Sequence, residues 1–398
     1  MKRERIIISM LAPLWLCFAT GAAAQKFEGL AMTPPMGWNH WNYYTCDGIN
    51  EQVVRETADA MVASGMKEVG YEYIVIDDCW QVGRDEDGRI LEDPEKFPSG
   101  MKALADYVHS RGLKFGLYSC AGTHTCQKRP GSRGHEYQDA RTYAEWGVDF
   151  LKYDWCNVGT QDARASYTTM RDALFAAGRP VVFSICEWGL SEPWLWAGEV
   201  GHMYRTTGDI RNNWDIPDAK RGKVWGGGMI VNLDMQEELH PYSGPGHWND
   251  PDMLNIGNGV LTEDESRSHF SLWAMLAAPL FAGNNLMEMD ETTREILTNR
   301  EVIAVNQDSL GICAHKAVDD GQFEVYLKRL DGECLSVCFF NREDHSLDME
   351  FNWDRLELGS KYKLRDLWKH ENAGDTRKPA RAIIPAHGVY HVTLAPAE

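Results

Sequence analysis

Polar strings recur in this chain directly after short apolar runs, four of the five carrying Asp or Glu in the company of Lys, Arg, Tyr and Trp. The strings are Ile76-Asp77-Asp78-Cys79-Trp80, Tyr118-Ser119-Cys120, Lys152-Tyr153-Asp154-Trp155-Cys156, Cys186-Glu187-Trp188 and Arg205-Thr206-Thr207-Gly208-Asp209. A single acidic residue after a strand is most simply a helix cap. Five such strings are poorly explained as caps. Carboxylates that converge with cations and aromatic rings bind hydroxyl groups and stabilise positive charge. Cleaving a glycosidic bond makes that demand, because two carboxyl groups flank an oxocarbenium-like transition state. Asp252, in Asp250-Pro251-Asp252, sits at another strand end and reads as support rather than as a catalyst. A metal is the competing use of clustered Asp and Cys, but the 13 histidines show no His-Glu-x-x-His and the cysteines no Cys-x-x-Cys. Gly226-Gly227-Gly228 lacks the Lys-Ser/Thr that continues a phosphate loop. Neither a metal nor a cofactor is expected.

Positioning such residues needs a scaffold that presents many strand ends together, and the chain repeats a helix that ends in Gly followed by an apolar run. Asn50 caps a helix that stops at Gly65 before Tyr73–Ile76. The pattern returns as Ser99–Gly112 before Phe115–Tyr118, Glu136–Gly147 before Phe150–Tyr153, and Tyr167–Gly178 before Val181–Ser184. Apolar strands between helices belong to a parallel sheet buried on both faces. With Met36–Trp41 as the first strand, and Met203–Arg205, Trp248–Met253 and Pro279–Phe281 as the last three, residues 25–308 hold eight (β/α) units, a TIM barrel. From residue 309 to 398 the texture changes to short alternating runs, Phe323–Leu327, Leu335–Phe339, Leu347–Phe351, Tyr362–Leu367 and Val389–Leu394, which predict an antiparallel β-sandwich without chemistry of its own. No linker separates the two, so they should pack tightly.

The formal charge of -19 over 398 residues argues against nucleic acid or an anionic membrane surface as partner and fits a neutral ligand. Fifteen Trp suit sugar faces as well as cores. Lys2, Arg3 and Arg5 precede an apolar stretch and then Gly21-Ala22-Ala23-Ala24, which predicts a signal peptide over residues 1–24 and a secreted or periplasmic protein with no membrane contact after cleavage. The apolar stretch falls short of the ~20 residues that span a bilayer. Export permits disulfides. Of ten cysteines Cys17 leaves with the leader, so at least one of the remaining nine stays unpaired. Cys334 and Cys338 cannot pair if they share a strand, where four residues span about 13 Å.

Taken together, Thr33-Pro34-Pro35-Met36-Gly37-Trp38-Asn39, Ile76-Asp77-Asp78-Cys79-Trp80, Lys152-Tyr153-Asp154, Cys186-Glu187-Trp188, Arg205-Thr206-Thr207-Gly208-Asp209 and Gly246-His247-Trp248-Asn249-Asp250-Pro251-Asp252-Met253 resemble family twenty-seven of the glycoside hydrolases, the α-galactosidase and α-N-acetylgalactosaminidase group. Ala386-His387-Gly388-Val389 resembles that family's C-terminal domain. The resemblance implies a retaining, exo-acting α-galactosidase for oligosaccharides or glycan termini, with Asp154 as nucleophile and Asp209 as acid/base. It places Asp77 and Asp78 on the C4 and C6 hydroxyls, Trp41 on the apolar wall, and Tyr118 in the pocket lining. Lys152 would bond near the ring and keep Asp154 ionised, while Glu187 and Arg205 would orient the C2 and C3 region with Leu190 closing the space beside C2. The family's disulfides map onto Cys46 with Cys79 and Cys126 with Cys156, each worth roughly 3 to 4 kcal/mol in the chain-entropy model. Cys120 stands where many members carry Asp, as a free thiol at the pocket rim or a buried small residue. Alternatives are a β-L-arabinopyranosidase, which a bulkier residue in the Asp77-Asp78 pair would favour, an α-N-acetylgalactosaminidase, which small residues in place of Glu187 and Leu190 would favour, and a non-catalytic galactose-binding protein, which loss of Asp154 or Asp209 would favour. Oligomeric state is not legible.

Overall fold

The computed structural model describes residues 26–216 and 226–397. The expected leader, its cleavage site and Cys17 lie outside the described residues. Eight parallel strands form one sheet: β1 Met36–Asn39, β2 Tyr73–Val75, β3 Lys114–Cys120, β4 Phe150–Asp154, β5 Val182–Cys186, β6 Met203–Arg205, β7 Trp248–Asp250 and β8 Leu280–Ala282. Their spatial order is β8-β1-β2-β3-β4-β5-β6-β7. A parallel bridge from Leu254 to Ala282 closes the seam between β7 and β8. The first strand stops at Asn39 because the Asn39 side chain accepts the Trp41 N–H at 2.9 Å, and Trp41 opens a short helix instead. The seventh stops at Asp250 because Pro251 has no N–H to give a ladder.

Helix ends follow the sequence signals. Asn50 accepts from Val53 N at the start of helix Glu51–Ala63, and Gly147 and Gly178 take the left-handed backbone that ends helices Glu136–Trp146 and Ala163–Ala177. The last of these starts four residues before Tyr167, capped by Asp162. A hairpin of Gln81–Arg84 with Ile90–Glu92, absent from the sequence reading, hangs from the loop after β2 and is pinned by an Arg84–Asp139 ion pair at 2.6 Å.

Strand alternation divides each strand between two cores. On β4, Leu151 and Tyr153 join the outer layer between sheet and helices, while Phe150 joins a second cluster with Tyr73, Val75, Val182, Met203, Trp248 and Phe281 inside the barrel. Lys152 and Asp154 share the inward face with Phe150, one and two steps closer to the C-terminal mouth. The interior apolar plug is therefore the floor on which the polar residues stand.

The second domain is antiparallel. Strands β9 His315–Asp319, β10 Phe323–Arg329, β11 Leu335–Asn341, β13 Tyr362–Asp366, β14 Glu371–Asp375 and β16 Val389–Pro396 form a sheet in the order β9-β10-β11-β16-β13-β14. It faces a pair made of β12 Leu347–Phe351 and β15 Ala380–Ile384. The sequence reading missed β9 and β14, which are the edges of the larger sheet and bury few side chains, and β15, where only the end residues Ala380 and Ile384 are buried. The domains share one core: Tyr326, Cys338, Phe340 and Leu367 of the sandwich belong to the barrel's outer cluster, and buried Lys328 donates to Ala274 O at 3.1 Å. No described helix is long and apolar enough to cross a membrane.

Two disulfides, Cys46–Cys79 and Cys126–Cys156, close separations of 33 and 30 residues at the barrel mouth. Cys120, Cys186, Cys313, Cys334 and Cys338 are free, with Cys338 inside β11 and Cys334 just before it. Peptide mapping without reduction should recover these two bridges, with Cys334 the first thiol alkylated and the four buried ones reacting only on unfolding; a bridge from Cys120 to Cys126 or Cys186 would contradict the arrangement.

Candidate active site

The mouth of the barrel opens on a cavity of about 270 Å³ walled by Trp41, Asp77, Asp78, Tyr118, Lys152, Asp154, Arg205, Asp209 and Asp252 from six strand ends or the turns after them, with Asn42, Gln127, Ile210, Arg211 and Met253 completing it. Drug-sized pockets begin near ~300 Å³, so this one is matched to a single sugar ring.

Asp77 and Asp78 both reach the cavity because the backbone turns sharply after them. Cys79 takes a φ of 78°, a left-handed value held by its disulfide to Cys46 and by Cys79 N donating to Asp78 Oδ1 at 2.7 Å. Asp77 Oδ2 accepts from Lys152 Nζ at 2.7 Å and Asn39 Nδ2 at 2.8 Å. Burial works against its charge, but Lys152 and its other partners outweigh that and hold its pKa below the usual carboxylate value. Beneath it, burial pushes His40 down to about 4, so the ring is neutral and its Nδ1 accepts the Asp77 N–H at 2.9 Å. Asp78 accepts from Gln127 N at 3.0 Å, and burial raises its pKa despite that bond.

Asp154 ends β4 almost fully buried. Tyr118 donates its hydroxyl to Oδ2 at 2.8 Å and Trp155 its N–H to Oδ1 at 2.8 Å. Both oxygens are thus held in place. Cys126 Sγ lies 3.4 Å from Oδ2. Cys126, Asp154 and Cys156 cluster tightly enough to suggest metal ligands, but the two sulfurs are bonded to each other and are not free thiolates. Lys152 favours the ionised carboxylate, as the sequence suggested. Burial nevertheless wins, and with Asp209 adding to it the Asp154 pKa is pushed up to about 7.

Asp209 is different in kind. Its carboxyl is 48% exposed and meets Arg205 at 3.2 Å. Arg205 is buried and also pairs with Asp252 at 3.0 Å. Asp252 accepts from Ile210 N at 2.8 Å, so it fixes both Arg205 and the backbone next to Asp209. Asp252 also faces the cavity itself.

Glu187 and Leu190 are not part of the cavity wall. Glu187 is fully buried and turns its carboxylate onto Ser191 N at 2.6 Å, and Leu190 is exposed. The expectation that they fill the space beside C2 finds no support in the lining. Cys120 is also set back from the cavity, buried with its thiol on Cys156 O at 3.0 Å and its pKa raised by burial. Asn42, Gln127 and Arg211 were missed by the sequence reading. Each lies within two residues of a residue or disulfide it named, and only the turn geometry aims them inward.

A (β/α)8 barrel whose mouth holds a one-ring cavity lined by carboxylates, cations and an indole has the architecture of a glycoside hydrolase. Residues 33–308 match the family profile described as alpha galactosidase A, and residues 320–394 that of the alpha galactosidase C-terminal beta sandwich domain. An alpha-galactosidase A of Cellvibrio japonicus (strain Ueda107) is 50% identical over 406 residues, covering 99% of this chain and 100% of that protein. The crystal structure of alpha-galactosidase I from Mortierella vinacea superposes with a TM-score of 0.89 at 37% identity, covering 93% of this chain and 99% of that one. The α-galactosidase of Saccharomyces cerevisiae in its structure with raffinose gives 0.87 at 31%, over 94% and 100%. The chain belongs to the α-galactosidase family of glycoside hydrolases, family twenty-seven.

The pKa of Asp154 makes a stability prediction. A carboxyl near 3.9 when unfolded and about 7 when folded favours the fold at low pH, and that contribution is lost as pH rises through 7. Asp154→Asn, which stays neutral and keeps an acceptor for Tyr118, should therefore raise the melting temperature, by little at pH 4 and most at pH 8. A gain independent of pH, measured by calorimetry, would contradict the assignment.

Proposed function

We propose that this enzyme is an exo-acting, retaining α-galactosidase that removes terminal α-D-galactosyl residues by double displacement. The observation that carries the reading is that one single-ring cavity is walled by both Asp154, buried with both oxygens hydrogen-bonded, and Asp209, half exposed beside Arg205. A fixed carboxylate suits attack on carbon, and a solvent-accessible one suits exchange of protons with a leaving group and then with water.

In the first step Asp209 gives its proton to the glycosidic oxygen as that bond breaks, while an Asp154 oxygen bonds to the anomeric carbon. In the second, Asp209 takes a proton from water as the water oxygen displaces Asp154, and galactose leaves with its original α configuration. Tyr118 and Trp155 hold Asp154 on line. Asp77, kept ionised by Lys152, and Asp78 accept hydrogen bonds from the sugar's C4 and C6 hydroxyls, and Trp41 covers its apolar face. No described residue needs a cofactor for these steps. The raffinose complex of the yeast relative supports an oligosaccharide carrying a terminal galactosyl unit as substrate. The charged n-region, apolar stretch and small-residue site of residues 1–24 support export, and so do the two disulfides.

Asp154 attacks carbon only as the carboxylate, and burial pushes its pKa up to about 7. kcat/KM should therefore fall as pH drops below about 7. A profile that stays flat down to pH 5 would contradict that role.

The roles of the two aspartates are separable. Asp154→Ala should abolish turnover of every α-galactoside, at least about 10⁴-fold, since no covalent intermediate can form. Asp209→Ala should spare activated p-nitrophenyl substrates, and added azide should give β-galactosyl azide. Labelling by a 5-fluoro galactosyl reagent on Asp209, or release of β-galactose as the first product, would overturn the mechanism.

A further inference from the structure

No described residue of the sandwich domain lines the cavity, yet the domain reaches the loop that carries Asp209. Residues 206–214 are tied to the barrel side at several points, among them Ile210 N donating to Asp252 Oδ2 at 2.8 Å, Gly227 N to Asp209 O at 2.9 Å and Ile230 N to Trp214 O at 3.0 Å. The far end, Trp214, meets the sandwich. There the His387 ring stacks on the Trp214 indole, with centroids 4.7 Å apart and planes inclined by 18°, and Phe340 closes edge-on at 6.0 Å.

His387 is itself locked. Its Nδ1 lies 2.7 Å from Glu265 Oε1 and its Nε2 2.8 Å from Asp344 Oδ1, while its carbonyl accepts from Ser268 Oγ at 2.6 Å. Glu265 and Ser268 belong to the barrel helix Glu263–Met275, so ring and main chain are both referenced to the barrel. Its φ of 56° is left-handed, a conformation a histidine keeps only where its surroundings enforce it. The result is a fixed flat platform under Trp214. Asp209 needs one. Asp154 has both oxygens hydrogen-bonded, whereas the half-exposed Asp209 carboxyl meets Arg205 at the longer distance of 3.2 Å, so its aim follows its backbone.

We propose that His387 is a positioning residue for catalysis: by stacking on Trp214 it sets the loop that aims Asp209 at the departing glycosidic oxygen. This rests on the acid/base reading of Asp209. Proton donation matters most when the leaving group is poor, so a displaced loop shows as a dependence on leaving group rather than as a uniform loss.

The test uses the full-length enzyme with His387→Asn, since Asn tolerates left-handed backbone, and Trp214→Leu. Each variant is assayed on methyl and 2,4-dinitrophenyl α-galactosides. For each, kcat/KM should fall about tenfold on the methyl glycoside and less than about twofold on the dinitrophenyl one. The double variant should be no worse than the single ones, because both remove the same stack. Equal losses on the two substrates, or additive losses in the double variant, overturn the proposal. Asp209→Ala is the reference. If it shows no leaving-group dependence, the acid/base reading falls; if it does while neither stack variant does, only the role of His387 falls. Should His387→Asn fail to fold, Trp214→Leu decides alone.

Discussion

Crowding acidic side chains at the mouth of one barrel is the constraint to which the rest of the structure answers. Asp77, Asp78, Asp154 and Asp252 are each nearly inaccessible to solvent, and the cavity they share with Asp209 holds Lys152 and Arg205 as its buried cations. Like charges in a low-dielectric site cannot all stay ionised without compensation. The compensation is uneven. Lys152 is committed to Asp77, and Arg205 is divided between Asp252 and Asp209. At Asp154 burial outweighs its hydrogen bonds and the charge of Lys152, so its pKa rises to about 7. Stability is given up at Asp154, the proposed nucleophile.

Several local features follow from holding that arrangement. The left-handed backbone at Cys79 re-aims Asp77 and Asp78, which a regular strand would send to opposite faces, and Asp252 takes a second left-handed turn. The disulfide from Cys46 holds the first of these turns, and the Cys126–Cys156 bridge fixes the loop whose Gln127 N–H binds Asp78. Below the polar layer, Phe150, Tyr73, Phe281 and Trp248 fill the barrel and keep water from the underside of the charges. The sandwich domain is joined to this assembly by a shared core and not by a tether, which is why a residue as distant in sequence as His387 can bear on Asp209.

Much of this was legible in the chain. The helix caps Asn50, Gly147 and Gly178, and the apolar strands between them, announce a barrel because each signal is local and each strand is buried on both faces. The acidic strings at the strand ends were legible for the same reason: side-chain alternation puts Asp154 on the face opposite Leu151 and Tyr153 whatever surrounds it. Strands His315–Asp319 and Glu371–Asp375 were not legible, because an edge strand buries little and leaves no apolar pattern. Leu190 and Glu187 could be named from their motif but not placed, since the turn after β5 carries them away from the cavity wall.

The sequence by itself determined which residues are available: Asp154 and Asp209 after their strands, their acidic and basic neighbours, the cysteines of two bridges, and a scaffold with eight strand ends at one mouth. These depend on residue type and on periodicities of two and 3.6, which short segments carry. Only the tertiary structure decided which cation serves which carboxylate, which aspartate is buried and which is half exposed, and how the sandwich supports the loop after β6. Those outcomes depend on distances between residues tens to hundreds of positions apart, such as Lys152 to Asp77 and His387 to Trp214, and on the burial that packing alone creates.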